Sequence, residues 1–239
     1  MSNAQLGIYQ LPYHYLQDTS ALYAIYTDTQ SNYYWSDDFS ASYYIAQAKA
    51  GFIAVSDTLA NEELLLPEIQ FAYALLDFKD LHIPSRISKL IRSKNLCITI
   101  DDNFEEIQEY LDSYHKNNWL TKKYASIIRQ TQEIEQDNFK AITVYIEYQG
   151  EIVAGEIGYI IGSTYTSLSG FSDKIYKGFG TAQMVLLAQK LQDSGFDFWN
   201  LGHPYMDYKQ KLGAKIYQRD EFLLRWYKST QKDILNIKE

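Results

Sequence analysis

The hydrophobic pattern of the chain changes near residue 140. Beyond this point, residues 141–148, 151–161 and 165–169 form three runs rich in Val, Ile, Tyr and Thr. The runs are separated by Gln149-Gly150 and Gly162-Ser163, and this spacing predicts an antiparallel meander.

The rest of the second half predicts a helix followed by alternating elements. Met184, Leu187, Ala188 and Leu191 recur at helical spacing, and Gly195 ends a helix predicted over 178–194. The next predicted elements are a strand at 196–201, a short helix at 207–212 and a last strand region at 216–227. A strand meander, a helix opened by glycine, a strand, a helix and a strand predict an α+β fold.

The segments before residue 140 alternate between helical and extended patterns. Helices are predicted at 39–51, 85–93, 104–114 and 121–130, and short strands at 52–55, 64–66, 71–76 and 96–100. Ser40, Asn103 and Thr121 are predicted N-caps, and Pro67 is assigned to a turn because proline cannot donate a ladder hydrogen bond. We therefore predict an N-terminal α/β domain at 1–140 and a second domain at 141–239.

Composition narrows the classes of protein. With 239 residues and 46% hydrophobic content, the chain can bury a sizeable core, so disorder is not expected. The formal charge of −8 argues against broad, sequence-independent nucleic-acid binding, since each phosphate contact requires Lys or Arg. Basic residues do fall along one flank of a predicted helix, either as a local nucleic-acid patch or, as we favour, as a solvated helix face. They are Arg86, Lys89, Arg92 and Lys94.

The sequence predicts a cytoplasmic protein without a membrane partner. No stretch reaches the ~20 apolar residues that a bilayer crossing requires, and residues 1–17 lack the basic start and apolar core of a secretory signal. The single cysteine, Cys97, excludes an internal disulfide and lies in the apolar run 96–100. We therefore expect a small, buried and inert thiol in a reducing compartment.

A glycine-rich loop is the sharpest local signal for chemistry. Residues 177–182 (KGFGTA) lie between a predicted strand and the long helix. Glycines at a helix N-terminus let the main chain approach a ligand, and the free amides with the helix dipole favour an anion. The loop resembles the segment that holds the pyrophosphate of acyl-CoA in the GNAT superfamily, although an ordinary strand-to-helix turn is the alternative. The candidate ligand-binding residues are Lys177, Gly178, Phe179, Gly180 and Thr181.

Further landmarks occur in a fixed order along residues 35–225. They are Asp38-Phe39-Ser40, 46–53 (AQAKAGFI), 81–92 (LHIPSRISKLIR), Asp102-Asn103-Phe104, 118–121 (NWLT), 150–158 (GEIVAGEIG), Phe171-Ser172, Leu212-Gly213-Ala214 and 219–223. In this order the chain resembles a divergent member of the leucyl/phenylalanyl-tRNA–protein transferases. The resemblance implies a GNAT-like C-terminal domain, with a mixed, mostly antiparallel sheet flanked by helices, and a smaller N-terminal α/β domain.

The resemblance also implies an activity. Members of this family move leucine or phenylalanine from the 3′ end of aminoacyl-tRNA to the N-terminal amine of a protein or peptide and so mark it for degradation. Aminolysis of an activated ester needs positioning, a group that handles protons and a donor to the oxyanion, so neither a metal nor an organic cofactor is expected. Two alternatives remain open: an N-acyltransferase that takes acyl-CoA as co-substrate, and an inactive binding homologue.

Two positions that the family uses for catalysis are altered in this chain. An acidic residue and a glutamine of the family correspond here to Asn200 and Gly202. Asn200 could orient an amine or donate to a carbonyl, and His203 beside it could act as the base near neutral pH. A polar turn that closes a strand explains residues 200–204 equally well.

Other positions complete the candidate site. The family's glutamate before Ser169 is Leu168 here, and a family methionine is Gly170. By their place in the resemblance, the candidate substrate-binding residues of this segment are Ser169, Phe171 and Ser172. Trp119 could stack on the terminal adenosine or simply pack between domains. Glu156 is a further candidate base, with an outward-facing strand glutamate as the alternative.

Overall fold

A mixed β-sheet forms the centre of the molecule. The computed structural model describes residues 8–59, 61–134 and 138–238. The strands of these residues are β1 (Tyr9–Gln10), β2 (Tyr34–Trp35), β3 (Ile53–Leu59), β4 (Glu62–Glu68), β5 (Ala72–Leu76), β6 (Thr99–Asp101), β7 (Phe139–Tyr148), β8 (Glu151–Ile161), β9 (Thr164–Ser172), β10 (Phe198–Asn200) and β11 (Lys215–Gln218).

Helices follow or separate these strands along the chain. The α-helices are α1 (Thr19–Thr27), α2 (Ala41–Lys49), α3 (Ser85–Lys94), α4 (Phe104–Tyr114), α5 (Lys122–Glu133), α6 (Phe179–Asp193), α7 (Asp207–Leu212) and α8 (Arg219–Thr230), and Tyr13–Gln17 and Phe78–Asp80 form short 3-10 helices. None of the described helices combines the length and the apolar character that a bilayer crossing requires.

The main sheet has seven strands in the order β11-β5-β10-β9-β8-β7-β6. β9 and β10 run parallel on either side of the α6 connection, and the other neighbouring pairs described in this sheet are antiparallel. The predicted α+β class, with a mixed, mostly antiparallel sheet flanked by helices, is therefore confirmed. The predicted meander corresponds to β7, β8 and β9.

Residues from both sides of position 140 share the main sheet. β5 and β6 come from the N-terminal side, and the predicted boundary falls just inside β7. The N-terminal side also forms two small sheets, a parallel pair of β1 with β2 and an antiparallel pair of β3 with β4. The division into domains at 1–140 and 141–239 stays a prediction, because the structure joins the two parts through one sheet.

The two faces of the sheet bury separate hydrophobic cores. On β8, Ile157, Tyr159 and Ile161 enter one core, whereas Val153 and Ile160 enter the other. Alternating side chains of a strand point to opposite faces, so each core covers one face. The first core is packed by residues of α2, α4, α5 and α8, and the second by residues of α3, α6 and α7.

Most predicted elements lie where the pattern places them. Ser40 and Thr121 cap α2 and α5 by accepting the main-chain amides of Tyr43 and Tyr124, both at 3.2 Å. Asn103 precedes α4, but its side chain makes no capping bond and instead donates to Glu106. Helix starts are thus fixed by the apolar period even where the cap itself is missing.

Three predictions about local structure are wrong. Pro67 lies within β4, paired with Ala54, and not in a turn. The neighbouring amides of Leu65 and Ile69 donate away from β3, to Ser36 and Asn32, so the missing donor of Pro67 lies on the side away from that pairing. Residues after Gln218 form α8 and not a strand, because Gln218 and Glu221 form a capping box. The thiol of Cys97 is exposed, since the strand in this region begins only at Thr99.

A single buried arginine ties the N-terminal segment to α8. The guanidinium of Arg219, at the start of α8, donates to six main-chain carbonyl oxygens. They belong to Ile25, Tyr26, Asp28, Ser31, Ile69 and Gln70. Arginine suits this position because its planar fork presents five N–H donors and stays charged when buried.

Replacing this arginine is expected to destabilise the whole fold. Arg219→Met leaves several buried carbonyl groups without a donor, so the free energy of unfolding should fall by about 3 kcal/mol or more. Arg219→Lys should give an intermediate loss, because three donors replace five. Urea denaturation measures both effects, with the exposed Arg92→Met on α3 as a control expected to change stability by less than about 0.5 kcal/mol. Equal midpoints for wild type and Arg219→Met would contradict this role.

Candidate active site

A fork in the main sheet creates an open region next to β9. β10 pairs with β9 only from Thr164 to Thr166, although β9 continues to Ser172. The chain then turns towards β5, where Leu201 donates to the carbonyl of Ala74 at 2.9 Å and Ala74 donates to Gly202 at 2.8 Å. The edge of β9 along residues 167–172 is therefore not covered by β10.

A cavity of about 500 Å³ occupies this fork. Its floor is formed by β8 and the uncovered part of β9, and its walls by the first turns of α6, the end of α4 and the segment from β10 to α7. The lining residues are Tyr114, His115, Trp119, Gly155, Glu156, Ser167, Leu168, Ser169, Gly170, Phe171, Ser172, Gly180, Thr181, Gln183, Met184, Leu201, Met206, Tyr208 and Lys209. This volume suits a small ligand or one end of a larger one.

Glu156 lies on the cavity floor with its carboxylate almost fully buried. Tyr165 and Ser167 donate to its Oε1, each at 2.7 Å, and the Gln183 side chain donates to Oε2 at 3.3 Å. Trp199 Nε1 donates to Ser167 Oγ at 2.8 Å and so fixes that hydroxyl. With 5% of its surface exposed, Glu156 is not the outward-facing strand glutamate of the alternative interpretation.

Burial decides the protonation behaviour of this carboxyl group. Desolvation raises the pKa of Glu156 above its ordinary value, and the hydrogen bonds from Ser167, Tyr165 and Gln183 oppose the rise only in part. Its hydrogen-bond donors are neutral, so a negative charge here is hydrogen-bonded but not neutralised.

Lys209 is the second ionisable group of the cavity that lies almost fully buried. Its Nζ donates to the carbonyl oxygens of Leu201 and His203, the latter at 2.7 Å. Burial lowers the pKa of Lys209 to about 8, so an appreciable fraction of the amine is neutral in mildly alkaline solution. The two carbonyl contacts hold the segment 201–203 against α7.

The predicted anion-binding loop is largely occupied by the protein itself. Gly178 faces α3, because a Cβ added to it would lie 3.3 Å from both Ile87 and Leu90. The amide of Phe179 donates to Tyr176 at 3.2 Å, and the amide of Gly180 donates to Ser172 Oγ at 3.1 Å. Gly180 and Thr181 line the cavity, whereas Lys177, Gly178 and Phe179 do not.

Asn200, Gly202 and His203 lie beside the fork but not on the cavity wall. Asn200 is buried, and its Oδ1 accepts the amide of Gly202 at 3.0 Å. His203 Nε2 lies 2.8 Å from a carboxylate oxygen of the buried Glu68. This segment combines the polar turn of the alternative interpretation with a histidine–carboxylate pair, and the catalytic roles predicted for Asn200 and His203 stay predictions.

The remaining candidate substrate-binding residues do line the cavity. Trp119 is half-buried, meets Tyr124 edge-to-face at 5.1 Å and also borders the cavity, so core packing and ligand contact are compatible. Phe171 stacks on Tyr110 with ring centroids 5.1 Å apart. Ser169 and Ser172 complete this side. The structure thus brings together Glu156, Trp119, Ser169, Phe171, Ser172, Gly180 and Thr181.

Sequence reasoning missed Gln183 and Lys209, although each had a weak signal. Gln183 shares the face of α6 with Leu187 and Leu191, four and eight residues later. Lys209 is followed on the same face of α7 by Leu212. A polar residue on an apolar stripe indicates a buried polar contact, but only the fold identifies the partner. In the described parts of the chain, no three His, Cys, Asp or Glu side chains converge as metal ligands.

The raised pKa of Glu156 predicts a pH-dependent cost to stability. The folded chain holds this proton more tightly than the unfolded chain, so the stability contributed by Glu156 is greatest below its ordinary pKa of 4.5 and is lost as pH rises through the folded pKa. Glu156→Gln should therefore raise the melting temperature at pH 7, with a gain that shrinks towards pH 4.5. A gain that is constant across this range, or a loss at pH 7, would contradict the assignment.

Some solved structures resemble this one in outline. FemX superposes with a TM-score of 0.46 and 9% identity, covering 87% of this chain and 76% of that chain. L-PGS from Bacillus licheniformis gives a TM-score of 0.45 and 12% identity, covering 79% of this chain and 69% of that chain.

Relatives and a family model match the sequence of this chain. Two proteins called leucyl/phenylalanyl-tRNA–protein transferase, from Pseudomonas fluorescens strains Pf0-1 and SBW25, are 28% identical over 153 residues and 29% identical over 149 residues. Each alignment covers 60% of this chain and 62% of the relative. The family model described as leucyl/phenylalanyl-tRNA protein transferase matches residues 75–226, more than half of the chain, and this span includes every residue that lines the cavity. The chain therefore belongs to the leucyl/phenylalanyl-tRNA protein transferase family.

Proposed function

We propose that this protein transfers an aminoacyl group from the 3′ end of aminoacyl-tRNA to the N-terminal amine of a protein or peptide. The proposal rests on one observation: the family model matches residues 75–226, and this range contains all the residues that line the cavity in the fork of β9 and β10. The donor is an ester that already carries its activation, so the site needs to position two substrates and move one proton.

The rim of the cavity suits the terminal adenosine of the donor. Tyr114, Met206 and Tyr208 line the cavity and remain substantially exposed, and Tyr205 beside them is 83% exposed. Exposed aromatic rings are the usual platforms for unpaired bases, because every base has a face that can stack. In this arrangement the adenosine stays at the rim and the aminoacyl group points towards the floor.

The main chain along the free edge of β9 provides further polar contacts. Residues 167–172 are not paired with β10 and line the cavity, where the carbonyl oxygen of Gly170 lies 3.0 Å from His115 Nε2. An extended acceptor peptide can pair with such an edge through its own main chain, which holds any sequence in the same register. This contact would place the acceptor amine beside the ester without selecting its side chains.

Lys209 is the group that we assign to proton transfer. In the reaction a C–N bond forms between the acceptor amine and the acyl carbon, and the bond from that carbon to the ribose oxygen breaks. A neutral lysine amine has two N–H groups, which match the carbonyls of Leu201 and His203, and its lone pair is then free to accept a proton. The proton taken from the amine passes afterwards to the departing ribose oxygen.

The acyl-CoA alternative fits this geometry less well. A pyrophosphate would need free amides at the start of α6, but those of Phe179 and Gly180 already donate to Tyr176 and Ser172. The apolar side chains of Ile87 and Leu90 cover the Gly178 side of the same turn. The start of α6 therefore serves packing more than anion binding.

A transfer assay tests the proposed function directly. Purified protein is incubated with a peptide that begins with Arg or Lys and with tRNA charged with each amino acid in turn. We expect a peptide that is longer by one residue, together with deacylated tRNA, measured by mass spectrometry and by acid gel electrophoresis. No extension with any charged tRNA, while the protein is folded, would reject aminoacyl transfer.

Substitution of Lys209 tests the proton-transfer step. Lys209→Met should lower kcat by ~10²-fold, because a positioned acid–base group contributes about that much. Wild-type activity should rise with pH through about 8, since the lysine must be neutral to accept a proton, and this limb should be missing in the variant. The acceptor amine titrates equally in both proteins, so the difference between the two pH profiles reports Lys209.

The neighbouring helix offers a matched control. Lys211 lies exposed on α7, so Lys211→Met should retain the activity and the pH profile of the wild type. Thermal unfolding verifies that Lys209→Met remains folded. Superimposable pH profiles for wild type and Lys209→Met would remove this lysine from the mechanism.

A further inference from the structure

The floor of the cavity carries a buried carboxylate whose donors are all neutral. Glu156 accepts hydrogen bonds from Tyr165, Ser167 and Gln183, and among the described residues it forms no ion pair with a lysine, arginine or histidine. A buried charge is costly unless an opposite charge compensates it. The cavity therefore contains a site that a cationic ligand group would complete.

We infer that Glu156 selects a donor whose aminoacyl side chain is cationic, of the lysyl or arginyl class, over the leucyl or phenylalanyl class. The inference rests on the proposed aminoacyl transfer and names the acyl group for it. The carboxylate lies on the cavity floor, which the end of the aminoacyl side chain would reach. The side chain of Gln183 already donates to one of its two oxygens.

The positions of Lys209 and Glu156 indicate that Glu156 binds the side chain of the donor amino acid and not its α-ammonium group. Lys209 donates to the carbonyl oxygens of Leu201 and His203, whereas Glu156 accepts from Tyr165, Ser167 and Gln183, so the two groups share no hydrogen-bond partner. The two groups thus belong to separate parts of the cavity. The α-ammonium group is one carbon away from the reacting carbonyl and must stay on the Lys209 side, whereas a long side chain can span the distance.

Residue 170 leaves one side of Glu156 without a covering side chain. Gly170 pairs with Glu156 across β8 and β9, and a Cβ at this position would lie 3.3 Å from the Cβ of Glu156. Because residue 170 has no side chain, nothing from that position covers Glu156. Tyr208 on the wall and Tyr165 in the network are phenols, which carry no positive charge in either protonation state, so they do not compensate the charge of Glu156.

Competition among donors tests the inference. With one acceptor peptide, kcat/KM is measured for lysyl-, arginyl-, leucyl- and phenylalanyl-tRNA. We expect the wild type to prefer lysyl or arginyl donors by about tenfold or more, and Glu156→Gln and Glu156→Met to lower this preference by roughly 10- to 100-fold. Glu147→Gln on the exposed face of β7 serves as the matched control and should leave the preference unchanged. A wild-type preference for leucyl or phenylalanyl donors, or ratios unaffected by either Glu156 variant, would overturn the inference.

A binding measurement separates this inference from the proposed function. Lysine amide and norleucine amide differ only in the ammonium group at the end of the side chain. The wild type should be stabilised against heat more by lysine amide, and Glu156→Gln should lose that difference. Equal shifts for the two amides in the wild type would overturn the selection of a cation, whether or not transfer is observed. A difference without any transfer would support cation binding and reject the transferase activity.

Discussion

The departure of β10 from β9 is the constraint on which the site depends. After Thr166 the two parallel strands separate, because Leu201 and Gly202 continue the pairing with β5 on the other side. A sheet that stayed closed here would bury the edge of β9 and leave no space between α6 and α7. The main-chain hydrogen bonds of β5, which belongs to the N-terminal half, therefore open the cavity in the C-terminal half.

Features that depend on local sequence could be predicted, whereas pairing between distant strands could not. Helices α2 to α7 and the meander follow from local periodicity and were predicted within a few residues, whereas α1 was not predicted. The pairing of β5 and β6 with strands from after residue 140 involves contacts between distant parts of the chain, which no local pattern encodes. The segment after Gln218 was assigned to a strand, but its capping box and the buried face of Phe222 and Trp226 form a helix.

The candidate site was most predictable where sequence neighbours stay neighbours in space. Ser169, Phe171 and Ser172 lie on one strand and reach the cavity together. Asn200 ends the strand at the fork, but the turn towards β5 carries His203 to Glu68, and neither residue lies on the cavity wall. The cavity residues Glu156, Gln183 and Lys209 come from a strand and two helices, so only the folded chain shows that they border one space.

Burying a carboxylate with only neutral donors lowers the free energy of unfolding, so other interactions in the fold must offset this loss. Here a hydrogen-bond network holds the carboxylate. Trp199 donates to Ser167, and the side chain of Gln183 donates to Glu156 from α6. Rigid donors also keep the carboxylate oriented before a ligand arrives, so a cation that enters needs little rearrangement of the protein. The ligand then supplies the missing positive charge and removes the electrostatic cost at the same time. The protein is therefore least stable when the site is empty. The free energy regained on binding increases the affinity for the charged group and not for apolar surface.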